Sequence, residues 1–337
     1  MRRKPLTFVL AVLAALATAL MTASVAAATN GGLTPVEPAS PNATHIKTTY
    51  WVIVGFTAMI FFLVEGLLVV FIVKYRSRGR DRTIEGPQVH GHARLEIIWT
   101  VIPVVILAAI AAVVFSLLPK ISDAPASSNP PIQITVEGHQ FYLQFNYPGG
   151  ARSINTLYVP VGRVVDLKVV ATDVIHSWWI PALGGKIQAI PGRTNHSWFM
   201  AERAGSFPGQ CAELCGVYHA AMLGRVVAES QAEYDAYVNP AGIGPTGNTS
   251  GAATTIGKQE WEGVCATCHG NLGEGGYGPN IASNPIIIQP AGLEHIIRNG
   301  VEGNIGVMPP VADTWTDEQI RALDLYLKQH IYKGSTQ

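Results

Sequence analysis

The sequence predicts a multi-domain chain with an N-terminal two-helix transmembrane hairpin, an all-β sandwich or barrel, and a small all-α domain. Three observations predict it: two apolar runs of membrane-spanning length, a middle region of alternating apolar residues broken by Gly and Pro, and a helical apolar period near the C-terminal end. At 337 residues the chain is long enough for several domains, each with its own core. The formal net charge is +0, from 23 basic and 23 acidic residues, so nothing in the bulk electrostatics favours nucleic acid as a partner. Hydrophobic residues make up 48% against 14% charged, and long N-terminal apolar runs cause that skew.

Residues 1–28 read as a signal peptide: Arg2, Arg3 and Lys4 precede an apolar run from Leu6 to Met21, followed by the small residues Ala23, Ser24, Ala26, Ala27 and Ala28. Cleavage after Ala26 or Ala28 is one outcome, and retention as an extra membrane helix is the other. The hairpin is expected over 46–119, with spans at Tyr50 to Val73 and Ile97 to Leu118. Between the spans, Lys74, Arg76, Arg78, Arg80, Arg82 and Arg94 place the loop on the cytoplasmic side. Everything after Pro119 therefore faces outward. Glu65 lies inside the first span, where an ionisable group is costly and marks either pairing at a subunit interface or a function.

A β domain is expected over 130–236. Ile132, Ile134 and Val136 alternate with polar neighbours, as do Val165, Leu167 and Val169, and Leu223 to Ala228 supplies another strand. The stretch 237–257, rich in Gly, Pro, Ser and Thr, reads as a flexible linker. Helical spacing then takes over in 258–334: Thr316 and Gln319 form a capping box ahead of Ile320, Leu323 and Leu327. So small a domain gains core from a covalently held cofactor.

The four cysteines fall in two close pairs. In an exported chain the plain reading is two disulfides, but loops this short strain the bridge and stabilise it little. Cys265-Ala266-Thr267-Cys268-His269 has the C-x-x-C-H pattern of c-type haem attachment, with His269 as an axial ligand. A zinc site would need further ligands that this domain lacks in cysteine. Met308, in Gly306-Val307-Met308-Pro309-Pro310, is the sixth ligand we favour, and His295 is its competitor. Thioether ligation raises the reduction potential relative to a second imidazole. This domain resembles the class I cytochromes c in its Cys265 to His269 motif, Gly278-Pro279, the Met308 loop and the amphipathic C-terminal helix. That resemblance implies that the Pro279 carbonyl orients His269.

The other pair lies in Gln210-Cys211-Ala212-Glu213-Leu214-Cys215-Gly216-Val217-Tyr218-His219-Ala220-Ala221-Met222. Two thiolates, an imidazole and a thioether form a soft donor set that favours copper. His176, in Asp173-Val174-Ile175-His176-Ser177-Trp178-Trp179, is the natural second imidazole. These segments, the hairpin and Ile190-Pro191-Gly192-Arg193 resemble subunit II of cytochrome c oxidase, whose CuA centre holds two coppers. The resemblance implies a cupredoxin-like sandwich with Cys211 and Cys215 as bridging ligands, His176 and His219 as imidazole ligands, Met222 as a weak thioether ligand, and Glu213 through its backbone carbonyl. It also implies a magnesium or manganese ion at the Glu213 carboxylate, at the interface with subunit I. Asp173 and Trp178 are candidates to support the ligands, with core packing the alternative for Trp178. Quinol oxidase subunits lack the copper set, so a cytochrome donor is expected.

Glu96, at the cytoplasmic start of the second span, matches the family residue at the entrance of a proton-uptake path; stabilisation of the helix N-terminus is the alternative. The family's Gly-His-Gln-Trp-Tyr-Trp is replaced here by Gly138-His139-Gln140-Phe141-Tyr142-Leu143, which puts the usual docking of a soluble cytochrome in doubt. His90, His92, His139 and His196 have no partner legible in the sequence. The resulting expectation is a caa-type fusion in the bacterial cytoplasmic membrane, with both outer domains on the periplasmic face and oxidase subunits I and III as partners. Electrons would pass from haem c to CuA, and oxygen reduction with proton pumping would take place in subunit I. The linker would act as a tether that raises the effective concentration of the haem. A copper-containing nitric oxide reductase subunit and a non-catalytic membrane electron carrier are the alternatives.

Overall fold

The computed structural model of the chain describes residues 34–76, 86, 88, 90–238, 256–303, 306–313 and 315–334. The signal peptide, most of the linker, and Arg78, Arg80 and Arg82 lie outside the described residues. Two units are distinguished: residues 44–123, and a second comprising 1–43 with 124–337.

In the first unit, helix α1 (Pro41–Tyr75) has 35 residues and α2 (Ala93–Ser122) has 30. Both are long and apolar enough to cross a membrane, with mean hydropathy 2.6 and 3.0 over their most apolar windows. Each extends past the apolar run read from sequence. At α1, the hydroxyls of Thr48 and Thr49 are satisfied within the helix by the carbonyls of Thr44 and His45. At the start of α2, the amide of Leu95 donates to the His92 ring at 3.3 Å and the amide of His92 donates to Glu96 Oε1 at 3.0 Å. His92 thus has a structural role: it caps the second span.

The second unit holds the β domain and the C-terminal helical domain. One sheet has the order β3-β2-β1-β5-β8, from Arg152–Ile154, Tyr142–Asn146, Ile132–His139, Val164–Ala171 and Asn195–Met200. The facing sheet is β4-β10-β9, from Thr156–Pro160, Leu223–Glu229 and Gly205–Gln210, and a small ladder pairs β6 (His176–Trp178) with β7 (Ile187–Ala189). Strands β1 and β5 run parallel, as do β4 and β10. Ile132, Ile134 and Val136 alternate inward along β1, and together with Phe145, Leu157, Val159, Leu167, Val169 and Val226 they form the sandwich core. Ala39, ahead of α1, is stitched to the sandwich by bonds to the Ala182 carbonyl at 2.7 Å and from the Glu202 amide at 2.9 Å.

Helix α3 (Gln231–Val238) ends the sandwich two residues beyond the expected boundary, and helix resumes at 256, so both ends of the expected linker are helical. The C-terminal domain comprises a helical segment with a π-turn at Trp261–Cys265 leading into α4 (Ala266–His269), then α5 (Pro290–Asn299) and α6 (Asp317–Tyr326). The capping box on α6 is present, with the Thr316 hydroxyl accepting from the Gln319 amide. Met308 is in strand rather than loop: Gly306–Met308 pairs with Val301–Gly303.

Candidate metal and haem centres

The copper-type loop is the tip of the β9–β10 hairpin. The Cys211 amide donates to the Met222 carbonyl at 2.9 Å, so the ladder pins both ends of a segment whose interior is free to turn inward. The two sulfurs of Cys211 and Cys215 lie 3.9 Å apart, too far for a disulfide, and all four cysteines of the chain are free. Cys215 Sγ is 3.5 Å from His219 Nδ1 and 3.8 Å from Met222 Sδ. The Glu213 carbonyl faces the Cys211 thiol at 3.2 Å. His176 is brought in from β6, and ligand atoms of His176, Cys211 and Cys215 all lie within 4.8 Å of one another.

The His176 ring is fully buried and bonds through Nε2 to Asp173 Oδ1 at 2.8 Å, while its Nδ1 is buried with no hydrogen-bond partner. Asp173 is held in turn by the amides of Val174 and Gln140, each at 2.6 Å. A buried imidazole nitrogen without a partner is costly unless it has a ligand. Burial alone would lower the His176 pKa, but the Asp173 hydrogen bond and the neighbouring Cys211 sulfur raise it to about 9. For Cys211, burial is outweighed by the adjacent His176 ring and by the backbone groups of Glu213 and Ser177, and the thiol is shifted down. Burial and the charge on Cys211 push Cys215 up. A soft cation would favour ionisation of both sulfurs. The donor set fits copper.

The second centre is a cavity of about 450 Å³ lined by Cys265, Cys268, His269, Pro279 and Met308 with apolar residues including Leu293 and Leu323. His269 Nδ1 bonds to the Pro279 carbonyl at 2.9 Å, which leaves Nε2 as the ring's ligand atom. Gly278 makes this contact possible, since a Cβ there would come within 2.8 Å of the His269 ring. His295 is exposed, bonds to Asn299 and does not line the cavity. These features fit a covalently attached haem.

Sequence reasoning missed three residues. Gln140 donates through Nε2 to the Cys215 carbonyl at 2.6 Å, and Ser177 Oγ accepts from the Ala212 amide at 2.7 Å, so both brace the thiol loop from the sandwich. Gly138 leaves room for His176, because a Cβ there would lie 2.9 Å from the ring. Only the Gly-His-Gln motif hinted at this. Trp178 is buried edge-to-face against Phe145, as core packing requires. His139 bonds to Thr172 and stacks on Tyr142 at 4.6 Å. The Glu213 carboxylate bonds to Gln188 and Lys186, each at 3.1 Å, and both hold its pKa down.

A membrane-type hairpin, a β-sandwich with a buried thiol–imidazole site and a helical C-x-x-C-H domain define an electron-transfer subunit anchored in a membrane. The chain matches the families described as cytochrome c oxidase subunit II, transmembrane domain (residues 28–117), cytochrome c oxidase subunit II, periplasmic domain (150–230), and cytochrome c oxidase, cbb3-type, subunit III (252–327). It is 35% identical to cytochrome c oxidase subunit 2 of Alkalihalophilus pseudofirmus, over 88% of this chain and 90% of that protein. It is 32% identical to cytochrome c oxidase subunit 2 of Synechocystis, over 64% of this chain and 78% of that one. Among solved structures, the periplasmic domain of subunit II of cytochrome oxidase from Bradyrhizobium japonicum is 35% identical, covering 35% of this chain and 95% of that chain with a TM-score of 0.32.

The chain belongs to the cytochrome c oxidase subunit II family. It is the subunit II of a haem-copper terminal oxidase, with a copper site at His176, Cys211 and Cys215 and a fused cytochrome c domain that implies haem c. It has two transmembrane helices and a periplasmic subunit II domain.

Proposed function

We propose that the full copper ligand set is His176, Cys211, Cys215, His219, Met222 and the Glu213 carbonyl, and that Cys265, Cys268, His269 and Met308 hold the haem. The observation that carries this reading is the orphaned, buried Nδ1 of His176 facing two free thiols. When bound, the copper pair and the haem supply one-electron chemistry that side chains cannot. Asp173 fixes the tautomer and orientation of His176, and the Pro279 carbonyl does the same for His269. Bonds from Met222, Gln140 and Ser177 brace the loop that carries Cys211 and Cys215, which favours a small rearrangement on charge transfer.

Further parts of the reading concern the neighbours of these centres. The half-buried Glu213 carboxylate, kept ionised by Gln188 and Lys186, would hold magnesium or manganese against subunit I. Glu96 at the cytoplasmic end of α2 would capture protons for subunit I, a role its bond to the His92 amide makes compatible with capping. Subunits I and III are the partners, a cytochrome is the donor, and the working domains are 46–119, 130–236 and 258–334.

Metal and haem analysis of the purified protein, with optical and electron spin resonance spectra, tests the assignment. Two coppers sharing one unpaired electron and one low-spin His/Met haem are expected. A single copper, or thiols found joined in pairs, would overturn it. Oxygen consumption by the complex with reduced cytochrome c distinguishes the oxidase from a nitric oxide reductase.

A further inference from the structure

Tyr142 in β2 and Ile154 in β3 belong to the sandwich by sequence and pairing, yet they are buried in one apolar cluster with Trp261, Val264 and Trp315 of the haem-binding domain. The Tyr142 hydroxyl accepts from Trp315 Nε1 at 3.1 Å and donates to the Val311 carbonyl at 2.9 Å. Beside it, Asn155 Nδ2 donates to the Gly263 carbonyl at 2.7 Å and Arg152 donates to Gln319 at 2.8 Å. Gly263 is the point of closest approach: a Cβ there would overlap the γ2 methyl of Ile154.

Separating the two domains would open the cluster around Trp315, 3% exposed, to water and strip Tyr142 of both partners. A transient contact surface is not built this way; its centre is more polar and its aromatic residues are not shared with a domain core. Docked as it is, the haem cavity counts Gln140, Phe141 and Tyr218 of the sandwich among its walls. The Phe141 and Tyr218 ring centroids are 5.2 Å apart, and Tyr218 follows two residues after the glycine next to Cys215.

We propose that Tyr142, Ile154 and Gly263 are positioning residues that hold the haem-binding domain permanently on the sandwich, with the cavity facing the thiol loop across Phe141 and Tyr218. The segment 239–255 then joins two docked bodies, in place of the tether expected from composition. The docking rests on the seam alone; its consequence for electron transfer rests also on the function proposed above.

The test uses the full-length, copper- and haem-loaded protein in detergent, with a protease site introduced between 239 and 255. After cutting, the haem absorbance of the otherwise unaltered chain is expected to stay with the membrane-bound sandwich through gel filtration. Tyr142→Phe leaves Trp315 and the Val311 carbonyl unpaired and should weaken association of the cut pieces roughly 30-fold. Gly263→Val should release the haem-bearing piece outright. In uncut Gly263→Val, haem-to-copper transfer should slow while the haem spectrum and its reduction by an external donor stay unchanged, which separates positioning from loss of the haem fold. Where that spectrum is altered, Tyr142→Phe decides. Release of the haem piece from the unsubstituted chain on cutting would overturn the proposal, as would association and transfer rates that neither variant changes. Loss of the mixed-valence copper signal with the haem still co-migrating would instead sink the ligand assignment and leave the docking standing.

Discussion

Glu260 offers a quantitative test of how dry the seam is. Its carboxyl is 4% exposed; Oε1 accepts from Gln319 Nε2 at 2.6 Å, and Oε2 is buried without a partner. Burial raises its pKa from 4.5 to about 8, against the smaller opposing effects of the Gln319 hydrogen bond and the Arg152 charge. The folded protein therefore keeps a proton over a pH range in which the unfolded chain has lost it. Stability from this group is fully present below pH 4.5 and declines as pH rises toward about 8, where the folded state also ionises. At ~1.4 kcal/mol per pH unit the whole interval is worth on the order of 5 kcal/mol. Glu260→Gln mimics the protonated acid and removes this dependence. Guanidinium unfolding followed by haem absorbance at pH 5 to 9 should give a variant increasingly more stable than the parent up to about pH 8, with a constant difference beyond. Parallel pH profiles for the two proteins would refute a desolvated carboxyl here.

Four further predictions concern the centres themselves. Gly138→Val should displace His176 and abolish or broaden the copper spin resonance signal while the haem spectrum is unaffected; an unaltered signal would mean that the ring does not need this space. Cys211→Ser should eliminate the mixed-valence signal and spare the haem, whereas Met308→Ala should leave the haem covalently attached but change its optical spectrum, with the copper signal retained. Removing copper with a chelator should lower the thermal midpoint of the sandwich, because bound metal stabilises the folded state by mass action. Differential scanning calorimetry before and after reloading checks this, and an unchanged midpoint would argue against a folding-coupled metal.

Much of the chain was legible because its chemistry is local. Cys265, Cys268 and His269 sit within one helical turn and a half, and Cys211 to Met222 within one hairpin tip, so spacing alone brings those donors together. The spans were legible from hydropathy, though their ends were not, since the helices run on past the apolar stretch into polar residues such as Thr48. Strands β2 to β4 and β6 to β9 escaped periodicity because they are short or buried on both faces; Tyr142 to Gln144 is buried at every position.

What the sequence determined by itself is the inventory: two membrane-spanning runs, a β domain with a soft donor set, and a C-x-x-C-H domain in which Met308 outranked His295. Only the tertiary structure decided how the inventory is assembled. It seated His176 over a hairpin tip 35 residues downstream, with Gly138 giving the ring space and Asp173 giving it direction. It also joined Tyr142 to Trp315 across 173 residues, so that one apolar cluster draws on both outer domains. The physical reason is that covalent spacing specifies donors along one stretch of backbone, whereas desolvation and steric fit between distant segments exist only once those segments meet.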